Sequence, residues 1–125
     1  MILILDAHAL LWWLRDEPSL DRAARASIAD PANDVLVSAA TVWELEVKRA
    51  MGKLEAPDDL LELLDGEDFD CIPILGDDAI RAARLPMHHR DPFDRMVLAQ
   101  AQRLDAIVVS RDRAFDAYDV AVLRA

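Results

Sequence analysis

Four short aliphatic runs, at residues 2–5, 35–37, 72–75 and 106–109, recur along the chain, with a weaker fifth at 120–123. Each is too short and too continuously apolar for an amphipathic helix, the pattern of strands buried on both faces. The intervals carry helical periodicity instead. Residues 40–51 place Trp43, Val47, Ala50 and Met51 on one helix face, with Lys48 and Arg49 outside it. Residues 92–104 do the same with Phe93, Met96, Val97, Ala101 and Leu104. Strand, helix, strand alternation calls for parallel pairing through right-handed crossovers, so the expected fold is a three-layer α/β sandwich.

With 125 residues and no linker or internal repeat, the chain is expected to form one domain over residues 1–125. A domain of this size buries roughly two thirds of the surface its unfolded chain exposes, enough for a core without disulfides or structural metal. Cys71 is the only cysteine, which excludes an internal disulfide and a cysteine-rich zinc site. Its apolar Cys-Ile-Pro-Ile setting predicts a small buried hydrophobe. No basic residues precede the first apolar run, and no stretch approaches the ~20 apolar residues needed to cross a bilayer. A soluble, cytoplasmic protein with no membrane partner is therefore expected. The formal net charge of −10 repels nucleic acid at long range. A polyanionic substrate would need metal ions or local basic residues.

In open parallel sheets the ligand crevice lies beyond the carboxyl ends of the strands, so the residues after each run are the informative ones. They are mostly acidic. Asp6 follows the first run directly, Glu44 is expected in the first turn of the helix after the second, and Asp112 follows the fourth after Ser110 and Arg111. Asp94 opens the helix leading into that fourth run and joins the others only if its helix begins on the same side. Carboxylates gathered in one crevice raise their own pKa values or recruit cations. Hard oxygen ligands with open water positions suit Mg²⁺ or Mn²⁺, a combination apt for phosphodiester hydrolysis.

Four segments carry a family resemblance: Met1-Ile-Leu-Ile-Leu-Asp6-Ala-His8-Ala-Leu-Leu-Trp12-Trp13, Val37-Ser38-Ala-Ala-Thr-Val-Trp43-Glu44, His88-His89-Arg90-Asp91-Pro92-Phe93-Asp94-Arg95 and Ser110-Arg111-Asp112. In this order they resemble a PIN-domain protein and, within that superfamily, the VapC-type ribonuclease toxins of type II toxin–antitoxin systems. Asp91-Pro92-Phe93-Asp94-Arg95 is the most specific piece. The resemblance implies a five-stranded parallel sheet covered by helices, and a Mg²⁺ or Mn²⁺ site that cleaves RNA endonucleolytically. It also implies an antitoxin that holds the enzyme inactive. Carried onto this chain, the catalytic and metal-binding acids are Asp6, Glu44 and Asp94, with Asp112 as the fourth and Asp116, deeper in the next helical segment, as its rival. Position 110, often Thr in the family, is Ser here and keeps its hydroxyl; position 7, often Thr, is Ala and lacks it.

Each residue also has a plainer reading. Asp6 can cap the helical run that follows it, and Glu44 can form an ordinary helix pair with Lys48. Asp91 followed by Pro92 reads as N-cap and N1, placing Asp94 at N3, where it complements the helix dipole. His88 and His89 are adjacent and diverge on regular structure, so they are expected to shape the approach to the site or contact phosphate rather than bind zinc. Arg95 and Arg111, with Ser110, are the expected substrate contacts, and Arg90 and Arg113 flank the same acids. Residues 9–14 are apolar all round. Trp12 and Trp13 there either pack between the sheet and a neighbouring helix or face a partner, the antitoxin or a second copy in a homodimer. Two other function classes compete: a receiver-like phosphoacceptor module, which lacks a lysine after its last strand here, and a metal-binding module that cuts nothing.

Overall fold

Neighbouring parallel strands leave and re-enter the sheet through helices, and the chain follows that rule throughout. The computed structural model describes all 125 residues. In chain order they form β1 (Ile2–Leu5), α1 (Ala7–Leu14), α2 (Arg22–Ala29), β2 (Asp34–Ser38), α3 (Ala39–Ala50), α4 (Leu60–Gly66), β3 (Asp70–Ile72), α5 (Gly76–Arg84), α6 (Pro92–Leu104), β4 (Ile107–Ser110), a 3₁₀ helix (Arg113–Ala117) and β5 (Val122–Arg124). The sheet has five strands in the order β3-β2-β1-β4-β5, and every pairing is parallel. This is the expected α/β/α sandwich. A flavodoxin-like receiver runs 2-1-3-4-5. Here β1 lies between β2 and β4, and β3 is an edge strand, so the receiver-like reading does not hold.

Period-2 alternation divides the core into two layers. Leu3, Leu5, Val35 and Val37 point to the side covered by Leu10 and Leu11 of α1, Ala24 and Ile28 of α2 and Leu64 of α4. Ile4, Leu36 and Val108 point to the other side and meet Val97, Leu98 and Ala101 of α6, together with Leu85, Phe115 and Tyr118. The register aligns Leu5 with Val37 on one side and Val109 on the other. Asp6, Ser38 and Ser110 therefore leave the sheet side by side, at the carboxyl edge where β1 meets its two neighbours.

Three local expectations are corrected. The third strand covers 70–72 rather than 72–75, because Pro73 offers no N–H to continue a ladder. Cys71 consequently lies exposed on the edge strand instead of buried. Helix α3 has the expected period but the opposite phase. It buries Ala40, Thr41, Glu44 and Leu45, and leaves Trp43 62% and Met51 58% exposed. Small Ala40 and Thr41 let the helix approach the sheet, and turning that face inward carries the carboxylate of Glu44 with it. Trp43 is left edge-on to Phe93 of α6, with ring centroids 5.1 Å apart.

Arg95 also departs from expectation. It is buried, and its two terminal nitrogens donate to the carbonyls of Ala82, Ala83, Leu85, Pro86 and His89 at 2.7–3.4 Å. Several of these carbonyls end α5 and would otherwise lack partners. The guanidinium therefore ties α5 and the segment leading to Asp91 onto α6 and is not free for phosphate. Arg95→Ala is expected to destabilise the fold by about 3 kcal/mol or more in urea unfolding, because several buried carbonyls lose their donor. Arg95→Lys should recover only part, since an ammonium cannot reproduce the planar fork. Unchanged stability with weakened RNA binding would return Arg95 to the substrate.

Candidate active site

Strand ends and helix starts deliver the acids. A helix crossing back before a parallel strand runs antiparallel to it, so α6 begins at the carboxyl edge and brings Asp94 to the ends of β1 and β4. Asp91 caps α6 by accepting the N–H groups of Phe93 at 2.8 Å and Asp94 at 3.4 Å, and Pro92 occupies the first turn. Glu44 stands in the second turn of α3, one turn later than expected, because Ser38 is the N-cap.

Asp6 is both cap and site residue. Its Oδ1 accepts the N–H of Ala9 at 2.8 Å, and its Oδ2 accepts the hydroxyl of Ser110. The Ser110 oxygen in turn accepts the N–H of Asp112 at 3.0 Å, so one hydroxyl orients two acids. Ser110 therefore stands behind the carboxylates instead of facing substrate. Glu44 is 4% exposed and bonded to Lys48 Nζ at 2.5 Å; the helix pair and the site residue are again the same group.

The electrostatics are those of crowded like charges. Burial raises the pKa of Asp6, opposed by the Ser110 and Ala9 donors, with the Glu44 charge adding to the rise. Asp94 is pushed up to about 8 by burial first, and then by Asp91, Asp6, Glu44 and Asp112. Lys48 is pushed up by its bond to Glu44, opposed by burial, with the charges of Glu44, Asp91 and Asp94 adding to the rise.

His89 was expected at the approach to the site, and the structure brings its ring in among the acids. Its Nε2 lies 2.9 Å from Asp94 Oδ2 and 3.2 Å from Asp112 Oδ2, yet neither approach has hydrogen-bond geometry, so this buried nitrogen has no hydrogen-bond partner. The ring meets Phe115 edge-on, and its Nδ1 accepts the Asp91 N–H at 3.3 Å. The divergence of adjacent histidines holds: His88 packs on Tyr118 while His89 turns inward. It excluded joint chelation but said nothing about one ring entering alone.

The donor set fits a divalent cation. Ligand atoms of His89, Asp94 and Asp112 lie within 4.8 Å of one another. Asp6 and Glu44 add their charges to the same crevice, and an orphaned buried nitrogen faces two unshared carboxylate oxygens. Asp116 is exposed and stands outside this group.

Residues 3–121 match the family model described as PIN domain. The chain belongs to the PIN domain family. No curated protein sequence matches it significantly. Solved structures share the fold. The VapBC2 structure from Rickettsia felis, bound to a promoter DNA fragment, is similar with a TM-score of 0.72 and 14% identity, covering 100% of this chain and 99% of that one. FitAcB from Neisseria gonorrhoeae matches with a TM-score of 0.65 and 25% identity over 98% and 96% of the two chains. VapBC-5 from Mycobacterium tuberculosis matches with a TM-score of 0.65 and 24% identity over 99% and 98%.

Two expected contacts are engaged elsewhere in this PIN domain. Arg111 lies over the Trp12 ring at 4.2 Å and donates to the carbonyls of Ser19 and Ala125. Trp12 and Trp13 are half-buried against the core, and Trp13 Nε1 donates to Glu67 at 3.1 Å. The packing alternative thus accounts for much of the apolar character of α1.

The Asp94 pKa has a definite sign. A carboxyl whose folded pKa exceeds its unfolded value near ~3.9 costs nothing below that value. It drains stability as pH rises through about 8. In metal-free buffer, Asp94→Asn is therefore expected to flatten this loss and to be at least as stable as the parent at pH 8. The stabilisation gained on adding Mn²⁺ should shrink in the same variant. Thermal unfolding with and without chelator checks both. A variant less stable at every pH with an undiminished metal response would leave Asp94 as a helix-start residue only.

Proposed function

We propose that the protein is a divalent-metal-dependent endoribonuclease, the toxin of a toxin–antitoxin pair. The observation that carries this reading is the convergence of Asp6, Glu44, Asp94 and Asp112 from four separate segments onto one sheet edge, in a chain of the PIN family. Asp6 and Glu44 are buried, Asp94 is half-buried and Asp112 is exposed at the rim, and a cation among them would relieve their mutual repulsion. Asp6, Asp94 and Asp112 would hold Mg²⁺ or Mn²⁺, with Glu44 closing the group. Such an ion acidifies and orients a water and neutralises charge on the leaving oxygen of a phosphodiester.

The chain's own residues set the geometry. Ser110 ties the Asp6 carboxylate to the Asp112 backbone, the α1 N-terminus holds the Asp6 side chain, and Asp91 holds the Asp94 backbone at the start of α6. His89 Nε2 stands 2.9 Å from Asp94 Oδ2 and 3.2 Å from Asp112 Oδ2, and would join them on a cation in its unprotonated form.

The partner follows from charge. A net charge of −10 and an acidic crevice attract a basic side chain, and an antitoxin offering Arg or Lys there would block the site. The VapBC and toxin–antitoxin complexes among similar structures support this reading. No helix of the chain is long and apolar enough to cross a membrane.

Asp6→Asn tests the proposal. A neutral amide keeps the shape and the Ala9 cap but binds a hard cation poorly. Cleavage of mixed RNA in Mn²⁺ should vanish, while circular dichroism stays unchanged. Full cleavage by the folded variant would remove Asp6 from the chemistry, and no cleavage by the parent chain under any divalent cation would favour a metal-binding module that cuts nothing.

A further inference from the structure

The chain contains two lysines, Lys48 and Lys53, and both line one cavity of about 210 Å³ next to the acids. Leu11, Leu45 and Leu54 give it an apolar lining, and His8 completes the wall. The cavity adjoins the site at two points. Asp6 lies two residues before His8, and Lys48 is bonded to Glu44.

A specific turn brings the lysines together. Helix α3 ends with Gly52 at φ +69°, where the Lys53 N–H donates to the Lys48 carbonyl at 2.9 Å and the Gly52 N–H to that of Arg49 at 3.0 Å. In this closing motif the residue after the glycine folds back beside the helix's last turn, a pairing that is commonly apolar. Here both residues are cationic. Lys48 is taken up by the buried Glu44 carboxylate, whereas Lys53 is exposed and has no ion-pair partner. A strongly acidic chain has nevertheless put its two lysines in one cavity, one of them bonded to an acid of the candidate site.

We propose that this cavity is a nucleotide subsite. A base flanking the scissile phosphate rests between Leu54 and the exposed ring of His8, over the buried Leu11 and Leu45, and Lys53 holds its phosphate while Lys48 stays on Glu44. The inference rests on the ribonuclease reading of the neighbouring acids. The pairing of an apolar lining with ammonium groups matches one repeat of single-stranded RNA, which alternates a flat base with an anionic phosphate. The ring of His8, 5.7 Å from that of Trp12, offers a flat face at the same wall. A basic antitoxin segment suited to the acidic crevice would be repelled by the two lysines, so RNA is the occupant the charges favour.

The experiment measures binding of a short single-stranded RNA oligonucleotide in an Asp6→Asn background, across a salt series, with and without Lys53→Ala. Loss of one phosphate contact should weaken binding at low salt and reduce the slope of log K against log salt by about 0.7. Lys53→Arg should retain the slope. Trimming the oligonucleotide from each end should abolish the Lys53 effect on removal of one nucleotide from one side only. An unchanged slope and affinity would overturn the subsite while leaving the ribonuclease reading intact, provided the parent chain cuts RNA. Absence of cleavage by the parent chain would overturn both. If Lys53→Ala weakens antitoxin capture and leaves the RNA slope unchanged, the cavity belongs to the partner and the proposal fails.

Discussion

The hydroxyl of Ser110 sits between Asp6 and Asp112, and the arrangement of the site depends on that link. It donates to Asp6 and accepts from the Asp112 backbone, joining the ends of β1 and β4. The two strands were paired by the switch in strand order, so the contact exists only in the assembled sheet. A carboxylate as buried as Asp6 must be hydrogen-bonded to persist. Ser110 and the Ala9 N–H supply those bonds. What they do not supply is relief from the neighbouring acids, and the elevated Asp94 pKa records the remainder.

The capping groups include the acids proposed to hold the cation. Asp6 caps α1, Asp91 caps α6 to place Asp94, Asp112 accepts the Ala114 N–H at the start of the 3₁₀ helix, and Glu44 pairs with Lys48. The plainer readings of these residues hold, and they leave room for the proposed metal role. Asp112 spends one oxygen on its cap and keeps the other turned to the site, whereas both oxygens of Asp6 are engaged, by Ala9 and Ser110.

The strands, the parallel sandwich and the acidic edge were legible because continuous apolar runs and the residues after them obey simple rules. The phase of α3 was not. Trp43 and Glu44 are neighbours in sequence, and a pattern that counts only apolar residues cannot anticipate that the carboxylate is buried and the indole exposed. Arg95 misled for a related reason: an arginine beside an acid reads as a phosphate contact, whereas the carbonyls it satisfies come from the end of the preceding helix α5 and the turn after it, which fold back over α6. His89 left no periodic trace at all. Its position is set by bonds from Arg95 to its carbonyl and from its N–H to Tyr118, distant in sequence. The lysines Lys48 and Lys53 were visible as residues, but their meeting depends on a left-handed glycine at 52.

The central claim is that the four acids share a cation. The most direct measurement is anomalous diffraction from crystals grown with Mn²⁺. A single site, or a close pair, should appear between the carboxylates of Asp6, Asp94 and Asp112, with oxygen ligands at ~2.1–2.3 Å, near the spacing for such ions. Anomalous density found only at exposed acids elsewhere, with His89 still between Asp94 and Asp112, would contradict the account.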